Sequence, residues 1–481
     1  MNKEEVSTKG ILRSLNFNVK IFFLFSILAS FGRGIWMGNV LSTYIYLIAE
    51  ESSQILGLTS MATGITMTIV VFPAGYLADR FRRDIMLKIA AVIGTAALFI
   101  VFFGHTIITI LIALLLWGFY QGLTRPSLES IFADSVKSGH RSRIYSWAHF
   151  ARQFAMASGP FINVGLFLLF GDEWGITILR SVMGVGLIIT LVSLLVMLIF
   201  NDQKALGDQS ESIAKEMTLA MEEKTNGYFS KMDLQKRTKL IPILLVTSNI
   251  IIGFGAGMTI KFFPIFFIKI YDLSPVWVQL IMGTTSIFTG LSGLLAQQFS
   301  LRRGRAQMIF LVQTLATICL GLLAIYPPIL FLVPLFIARG SLMNASQPLS
   351  RSILMDMIPK NKRGRWNSLQ TIAWGLFWNV SAGIGGFLIG DNNNFRLCFL
   401  VTMGLYFLGE VPILMLIPLL GREKIAKKEF ELVAKNIDRS VIWAARNYGS
   451  SILETLYPNP TKKEATKDEF KGKKSKRKNM K

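Results

Sequence analysis

Arg33, Lys261 and Arg339 stand inside long apolar runs, where basic side chains are least expected. An ionisable group at the centre of a membrane-spanning helix costs about 2.5–3.5 kcal/mol on insertion scales, so such residues are functional candidates by default. A guanidinium or ammonium at such a place can recognise a carboxylate or a phosphate. Asn39, Tyr120, Gln121 and Asn344 add neutral donors and acceptors within the same runs. The acids fall elsewhere: Glu129 and Asp134 close the fourth run, Asp356 closes the tenth, and Glu410 lies in the last. Arg125 and Glu129 are spaced i, i+4 and are expected to neutralise one another. The excess of positive charge in the middle runs points to an anionic solute, organic or phosphorylated.

The elements that hold these residues are long apolar segments. The chain is 52% hydrophobic and 17% charged, with a mean hydropathy of +0.48, against roughly 25% charged in a soluble domain. A helix needs about 20 apolar residues to cross the hydrocarbon. Twelve segments answer that description: 21–48, 54–78, 85–104, 106–134, 145–170, 176–200, 241–269, 276–300, 306–326, 329–357, 366–390 and 395–420. The expected fold class is an all-α integral membrane protein with 12 transmembrane helices. Basic residues gather in alternate loops (Arg80, Arg82, Arg83; Arg141, Arg143; Arg302, Arg303, Arg305; Lys362, Arg363, Arg365), while the loops between them carry Glu50, Glu51, Asp172, Glu173 and Asp391. By the positive-inside rule both termini are cytoplasmic, in a multi-pass cell-membrane protein. The net charge of +22 therefore belongs to loops and tail and does not imply nucleic acid.

Cys319 and Cys398 lie within apolar runs, and neither they nor His105, His140 and His149 show metal-ligand spacing. The basic start leads into a full-length span without a small-residue cleavage pattern, so the first span is expected to be retained. The spans hold no His, Asp, Glu or Ser constellation that suggests an enzyme, and no Gly-x-x-x-x-Gly-Lys phosphate loop accompanies them. Beyond the last span, Glu423 to Leu456 reads as an amphipathic helix able to lie on the membrane. Lys471 to Lys481 reads as a solvated basic tail near anionic lipid.

An offset of 222 residues relates the two halves. It pairs Gly118 with Gly340, Pro126 with Pro348, Ser130 with Ser352, Ile131 with Ile353, Asp134 with Asp356, Arg141 with Arg363, Arg143 with Arg365 and Ser146 with Ser368. Asn39 corresponds to Lys261, and Glu129 to Arg351. Four segments follow: a six-helix bundle over 1–200, a cytoplasmic linker over 201–239, a second bundle over 240–420, and a tail over 421–481. Parallel repeats of this kind are a transporter architecture with the substrate site between the halves.

Between spans two and three the chain reads Gly75-Tyr76-Leu77-Ala78-Asp79-Arg80-Phe81-Arg82-Arg83. This resembles the loop signature of the major facilitator superfamily, with Arg82 in place of the usual second glycine. Gly75 is expected to allow close helix packing, and Asp79 to cap or pair with its neighbours. The resemblance implies that Gly75, Asp79, Arg80 and Arg83 form a conformational motif, with Asp134 facing Arg80 or Arg83. Asp356 would likewise face Arg302 or Arg305, and Glu129 and Arg351 could form a gate pair across the pseudo-axis. Helices one, four, seven and ten line the central cavity in that superfamily. Arg33, Asn39, Tyr120, Gln121, Lys261, Arg339 and Asn344 thereby become the candidate substrate-binding set. Gln121-Gly122 and Ser158-Gly159-Pro160 resemble elements of proton-coupled drug exporters, although Gly118 occupies an arginine's place and Asn163-Val164 that of a glycine pair. The expectation is a monomeric secondary carrier without a cofactor, driven by a substrate gradient or by H+ or another ion. A proton-coupled exporter of lipophilic compounds and a non-transporting receptor or scaffold are the alternatives.

Overall fold

The computed structural model describes residues 15–136, 141–206, 234–357 and 360–420. The expected amphipathic helix and basic tail lie outside the described residues. So do His140, most of the linker, and the side chains of Asp79, Arg302, Arg363, Arg365 and Asp356.

Every apolar run becomes helix, because in lipid a backbone N–H or C=O without an internal partner costs several kcal/mol. Among the described residues there are fourteen α-helices: α1 Phe17–Trp36, α2 Asn39–Ile48, α3 Ser53–Arg80, α4 Arg83–Phe103, α5 Ile107–Ala133, α6 Arg141–Phe170, α7 Ile176–Met197, α8 Leu234–Ile260, α9 Phe263–Tyr271, α10 Pro275–Arg303, α11 Arg305–Leu323, α12 Ile329–Met357, α13 Lys360–Ile389 and α14 Phe395–Leu420. Eleven of the segments they build, one of them α8 with α9, are long and apolar enough to cross a membrane. The described apolar part of α13, Gly375–Ile389, is shorter. The helix of the seventh span begins at Leu234, inside the segment expected as linker. The start of that segment, Asp202–Lys204, is instead a short 3-10 turn docked on the first six spans through Leu206 N–H to the Asp134 carbonyl at 3.0 Å.

The packing repeats as the sequence does. Helix α1 packs on α6 and α7, and α5 on α3 and α4; correspondingly, α8 packs on α13 and α14, and α12 on α10 and α11. The first six spans meet the last six where α3 lies on α13 and α6 lies on α10. Small residues set those crossings: a Cβ at Gly57 would meet the Ala382 carbonyl, and one at Gly64 would meet the Asn379 side chain. Within the first half, a Cβ at Gly159 would run into the backbone of Gly34, which explains the glycine before Pro160 as a close crossing of α6 over α1.

Spans one and seven are each two helices in sequence, and their breaks fall at nearly equivalent depths. In span one the chain turns at Gly38, with φ 76° and ψ −120°, a region that glycine enters without the Cβ penalty. In span seven the device is Pro264. Its ring clashes with the carbonyl four residues back, and α8 ends at that residue, Ile260. Broken helices at membrane depth must have their freed carbonyls satisfied by neighbours. Here Asn163 Nδ2 donates to the Ile35 carbonyl at 3.1 Å, and Cys398 Sγ donates to that of Met258 at 3.2 Å.

Candidate functional site

The two breaks place polar side chains in the middle of the molecule. Lys261 follows the C-terminus of α8, where the helix dipole favours a cation, and its Nζ donates to Asn379 Oδ1 at 3.2 Å. Asn379 in turn packs against Gly64 of α3, so this contact ties span seven to span eleven and to the first half. Asn39, the repeat partner of Lys261, opens α2 just past the first break and is partly exposed. Arg33 lies one turn before that break, and its Nε is buried without a hydrogen-bond partner. It interacts electrostatically with Tyr120 and Arg125 of α5. Tyr120 is itself packed on Trp117, with ring centroids 4.6 Å apart, and is 6% exposed.

Arg125 was expected only as a partner for Glu129. Its side chain is exposed on α5. Glu129 on the same face is also exposed, and its Oε1 lies 3.8 Å from Arg152 Nη1 of α6. Its ion pair in this structure is therefore with Arg152 rather than Arg351. On α12 the exposed face carries Asn344, Gln347 and Arg351. Gln347 and Arg351 are the repeat partners of Arg125 and Glu129, and Gln347 Nε2 donates to Asn344 Oδ1 at 3.0 Å. Gln121 is partly exposed on α5, one turn from Arg125.

Arg339 does not join this set. It is 6% exposed inside the second half, with its guanidinium 4.4 Å from the Phe263 ring centroid and 5.4 Å from that of Phe336. Two aromatic faces hold it there, a contact of about 2 kcal/mol where water is excluded.

At the end of the basic loops, of the two partners expected for Asp134, Arg80 and Arg83, it is Arg83 that pairs with it, and the Arg83 backbone N–H donates to Asp202 Oδ2 at 3.2 Å. Arg82 and Asp84 form a two-bond pair at 2.9 and 3.1 Å. The sequence reading missed Asp84 and Asp202. Arg80 covers the Tyr76 ring at 4.3 Å. A Cβ at Gly75 would meet nothing within 4 Å, which corrects the expected packing role: the close approaches of span two are at Gly57 and Gly64, toward its other end. In the second half Arg305, the repeat partner of Arg83, donates to Ser352 Oγ at 2.5 Å.

At the end of the acidic loops, polar contacts cross between the halves. Lys269 Nζ lies 2.5 Å from Glu51 Oε2, and Tyr46 bonds Asn393 Oδ1 at 3.3 Å. Asp172 accepts from Ser274 Oγ at 2.7 Å and from the Val276 N–H at 2.8 Å, so a carboxylate of one half caps helix α10 of the other. Trp174 Nε1 donates to the Leu273 carbonyl at 2.7 Å. The signal for this cluster was the acidic character of Glu51 and Asp172 beside loop turns, with no sequence cue to their partners.

Known structures share this architecture. The nucleoside transporter NupG superposes with a TM-score of 0.60 at 15% identity, over 83% of this chain and 98% of that one. A bacterial homologue of the iron transporter ferroportin gives 0.64 in its inward-facing state, at 15% identity over 84% of this chain and 98% of that one. Its outward-facing state gives 0.56, at 16% identity over 83% and 98%. No curated protein sequence matches the chain significantly. The sequence profile of the Major Facilitator Superfamily matches twice in tandem, at residues 22–248 and 245–460. With both copies of the profile and the matching twelve-span fold, the chain belongs to the Major Facilitator Superfamily of membrane transporters.

Proposed function

We propose that this transporter moves a small organic or phosphorylated anion by alternating access across the cell membrane, with both termini in the cytoplasm. The observation that carries this reading is the set of Arg33, Arg125 and Lys261 around the two helix breaks. Arg33 and Lys261 have no acid in an ion pair among the described residues, and Glu129, whose charge acts on Arg125, is shared with Arg152. Like charges gathered in a low-dielectric site favour a ligand of opposite sign. Arg33 and Arg125 supply planar donors suited to a carboxylate or phosphate, and Lys261 supplies a point charge from the facing half. Asn39, Gln121, Asn344 and Gln347 offer neutral hydrogen bonds to the rest of the solute.

The inter-half contacts at the acidic-loop end support an inward-open conformation, as does the higher TM-score against the inward-facing ferroportin homologue than against its outward-facing state. In such a cycle, the Glu51–Lys269 and Asp172–α10 contacts would part as the outer side opens. The motif around Asp79, Arg83 and Asp134 would engage as the inner side closes.

Counterflow of labelled sugar phosphates, carboxylates, neutral nucleosides and lipophilic cations in proteoliposomes tests the proposal. Transport is expected for an anion, falling roughly tenfold or more in Arg33→Gln combined with Lys261→Gln, since each lost charged hydrogen bond is worth about 1.5–3 kcal/mol. Anion flux unchanged in that variant, or flux restricted to cations, overturns it.

A further inference from the structure

Glu410 belongs to none of the contacts described above. It sits on α14 with 3% of its surface exposed, on the side that meets α11. Thr317 Oγ1 lies 2.6 Å from its Oε1, and Thr314 Oγ1 lies 2.7 Å from its Oε2. No cation pairs with it among the described residues. On its own helix the next titratable group is Tyr406, one turn away. On α11, Cys319 lies two residues beyond Thr317, and Arg305 is at the far start of the helix. From α8 the neighbours of Gly409 are Ile251 and Ile252, and Ser248 donates to the Gly409 carbonyl at 2.6 Å. Lys261, just past α8, is engaged with Asn379. The described side chains of α13 include no titratable group. Arg339 of α12 is coupled to Tyr406 and Cys319.

The hydrogen-bond geometry accommodates either protonation state. Thr317 Oγ1 is also 2.9 Å from the Gln313 carbonyl, and its single hydrogen cannot serve both acceptors. With Glu410 ionised, the Thr317 and Thr314 hydroxyls both donate to the carboxylate. With Glu410 protonated, its O–H donates to Thr317 Oγ1, and Thr317 turns its hydrogen to the Gln313 carbonyl. A carboxyl kept only as a fixed hydrogen-bonding bridge needs one of these arrangements, and a site that gains and loses a proton needs both.

Position links the site to the moving parts. Gln313 Nε2 donates to Ser346 Oγ of α12 at 3.1 Å, and the opposite face of α12 presents Asn344 and Gln347 to the proposed cavity. The layer of Glu410, Thr314, Thr317, Gln313 and Ser346 thus joins spans twelve and nine to a cavity-lining helix.

We propose that Glu410 is a proton-binding site of the second half, outside the central cavity, and that its occupancy biases the packing of span ten and hence the equilibrium between the two carrier conformations. On this proposal the conformation seen here holds Glu410 protonated, with its O–H donated to Thr317 Oγ1. Rearrangement that admits water between α11 and α14 releases the proton to that water and leaves a carboxylate held by both threonines. The inference does not depend on which solute the cavity carries.

The test uses the full chain in liposomes of neutral phospholipid, without substrate. Infrared difference spectra between mildly acidic and alkaline buffer should show a protonated-carboxyl stretch that titrates and is missing in Glu410→Gln. In the same samples, spin labels at Glu173 and Asp391, in a background lacking Cys319 and Cys398, should report a pH-dependent distance between the halves. That dependence should be lost in Glu410→Gln. An unchanged carboxyl band, or an unchanged distance response, in Glu410→Gln overturns the proposal. If that variant does not fold, Thr314→Val decides: Thr314 only donates to the carboxyl group, so removing it weakens the ionised form and should move the titration midpoint to higher pH, and an unmoved midpoint overturns the proposal.

Discussion

The two halves of the molecule share a packing plan and solve the same local problems with different chemistry. Both interrupt their first span at a nearly equivalent depth, but the first half turns on Gly38 and the second on Pro264. The freed carbonyls receive an amide from Asn163 in one case and a thiol from Cys398 in the other. At the basic-loop end, Arg83 meets the carboxylates of Asp134 and Asp202, and among the contacts of its counterpart Arg305 is one to the hydroxyl of Ser352. The buried ionisable groups differ too: Arg33 faces Tyr120 and Arg125, while Arg339 is enclosed by phenylalanine rings and Glu410 by threonines. A repeated fold therefore keeps where helices cross and break, and leaves each half free to place charge.

Four tests sharpen this comparison. The largest effect is expected for Gly159→Leu, because the nearest atoms are backbone of Gly34 and cannot turn aside. Overpacking of this kind costs typically about 1–3 kcal/mol or more, and thermal unfolding in detergent should show a clear loss of stability. Gly283→Leu, at the crossing of α6 and α10, meets only the ring of Phe161, which can rotate, and should be milder by the same measurement. Next, Asp172→Asn removes the carboxylate that caps α10 from the other half. A cap is worth about 0.5–2 kcal/mol, so spin labels across the acidic-loop end should show a several-fold rise in the population with that end open.

Opposing the two breaks gives the third case. Gly38→Ala has open space around the new Cβ but a positive φ, and a cost of about 1–2 kcal/mol is expected. Pro264→Ala instead removes the clash that ends α8 and should let the helix run through Lys261, lowering transport with little loss of thermal stability. If both variants behave alike, the breaks do not work by the different means described here. The smallest effect is expected at the basic-loop end. Arg83→Gln loses partly exposed ion pairs worth about 0–1 kcal/mol, as read by thermal shift at low salt. Added salt should narrow the difference from the unmodified protein.

Much of the fold was legible without coordinates, because lipid makes an apolar run of sufficient length into a helix whatever its neighbours. The pairing of Arg83 with Asp134 was also legible, since loop charges near helix ends have few acids within reach. The helix breaks were visible only as an isolated Gly38 and an isolated Pro264, and apolar runs tolerate both residues without breaking. The i, i+4 spacing does bring the charge of Glu129 to Arg125, while α6 brings Arg152 to the same carboxylate, which the spacing could not show. Arg339 was assigned to the cavity because its helix lines one, but the side chain turns toward Phe263 and Phe336 on the other side. The roles expected of Asp79 and Asp356 fall on side chains outside the described residues.

The sequence by itself determined the number of spans, their pseudo-repeat and the chemical character of the membrane-embedded groups. Each of these follows from hydrophobicity, period and residue type, which are local properties. Only the tertiary structure decided which charges share a space, which are shielded by aromatic rings, and that Glu410 has two alternative hydrogen-bond arrangements. Such outcomes depend on which helix faces meet, and that is a property of packing between segments far apart in the chain.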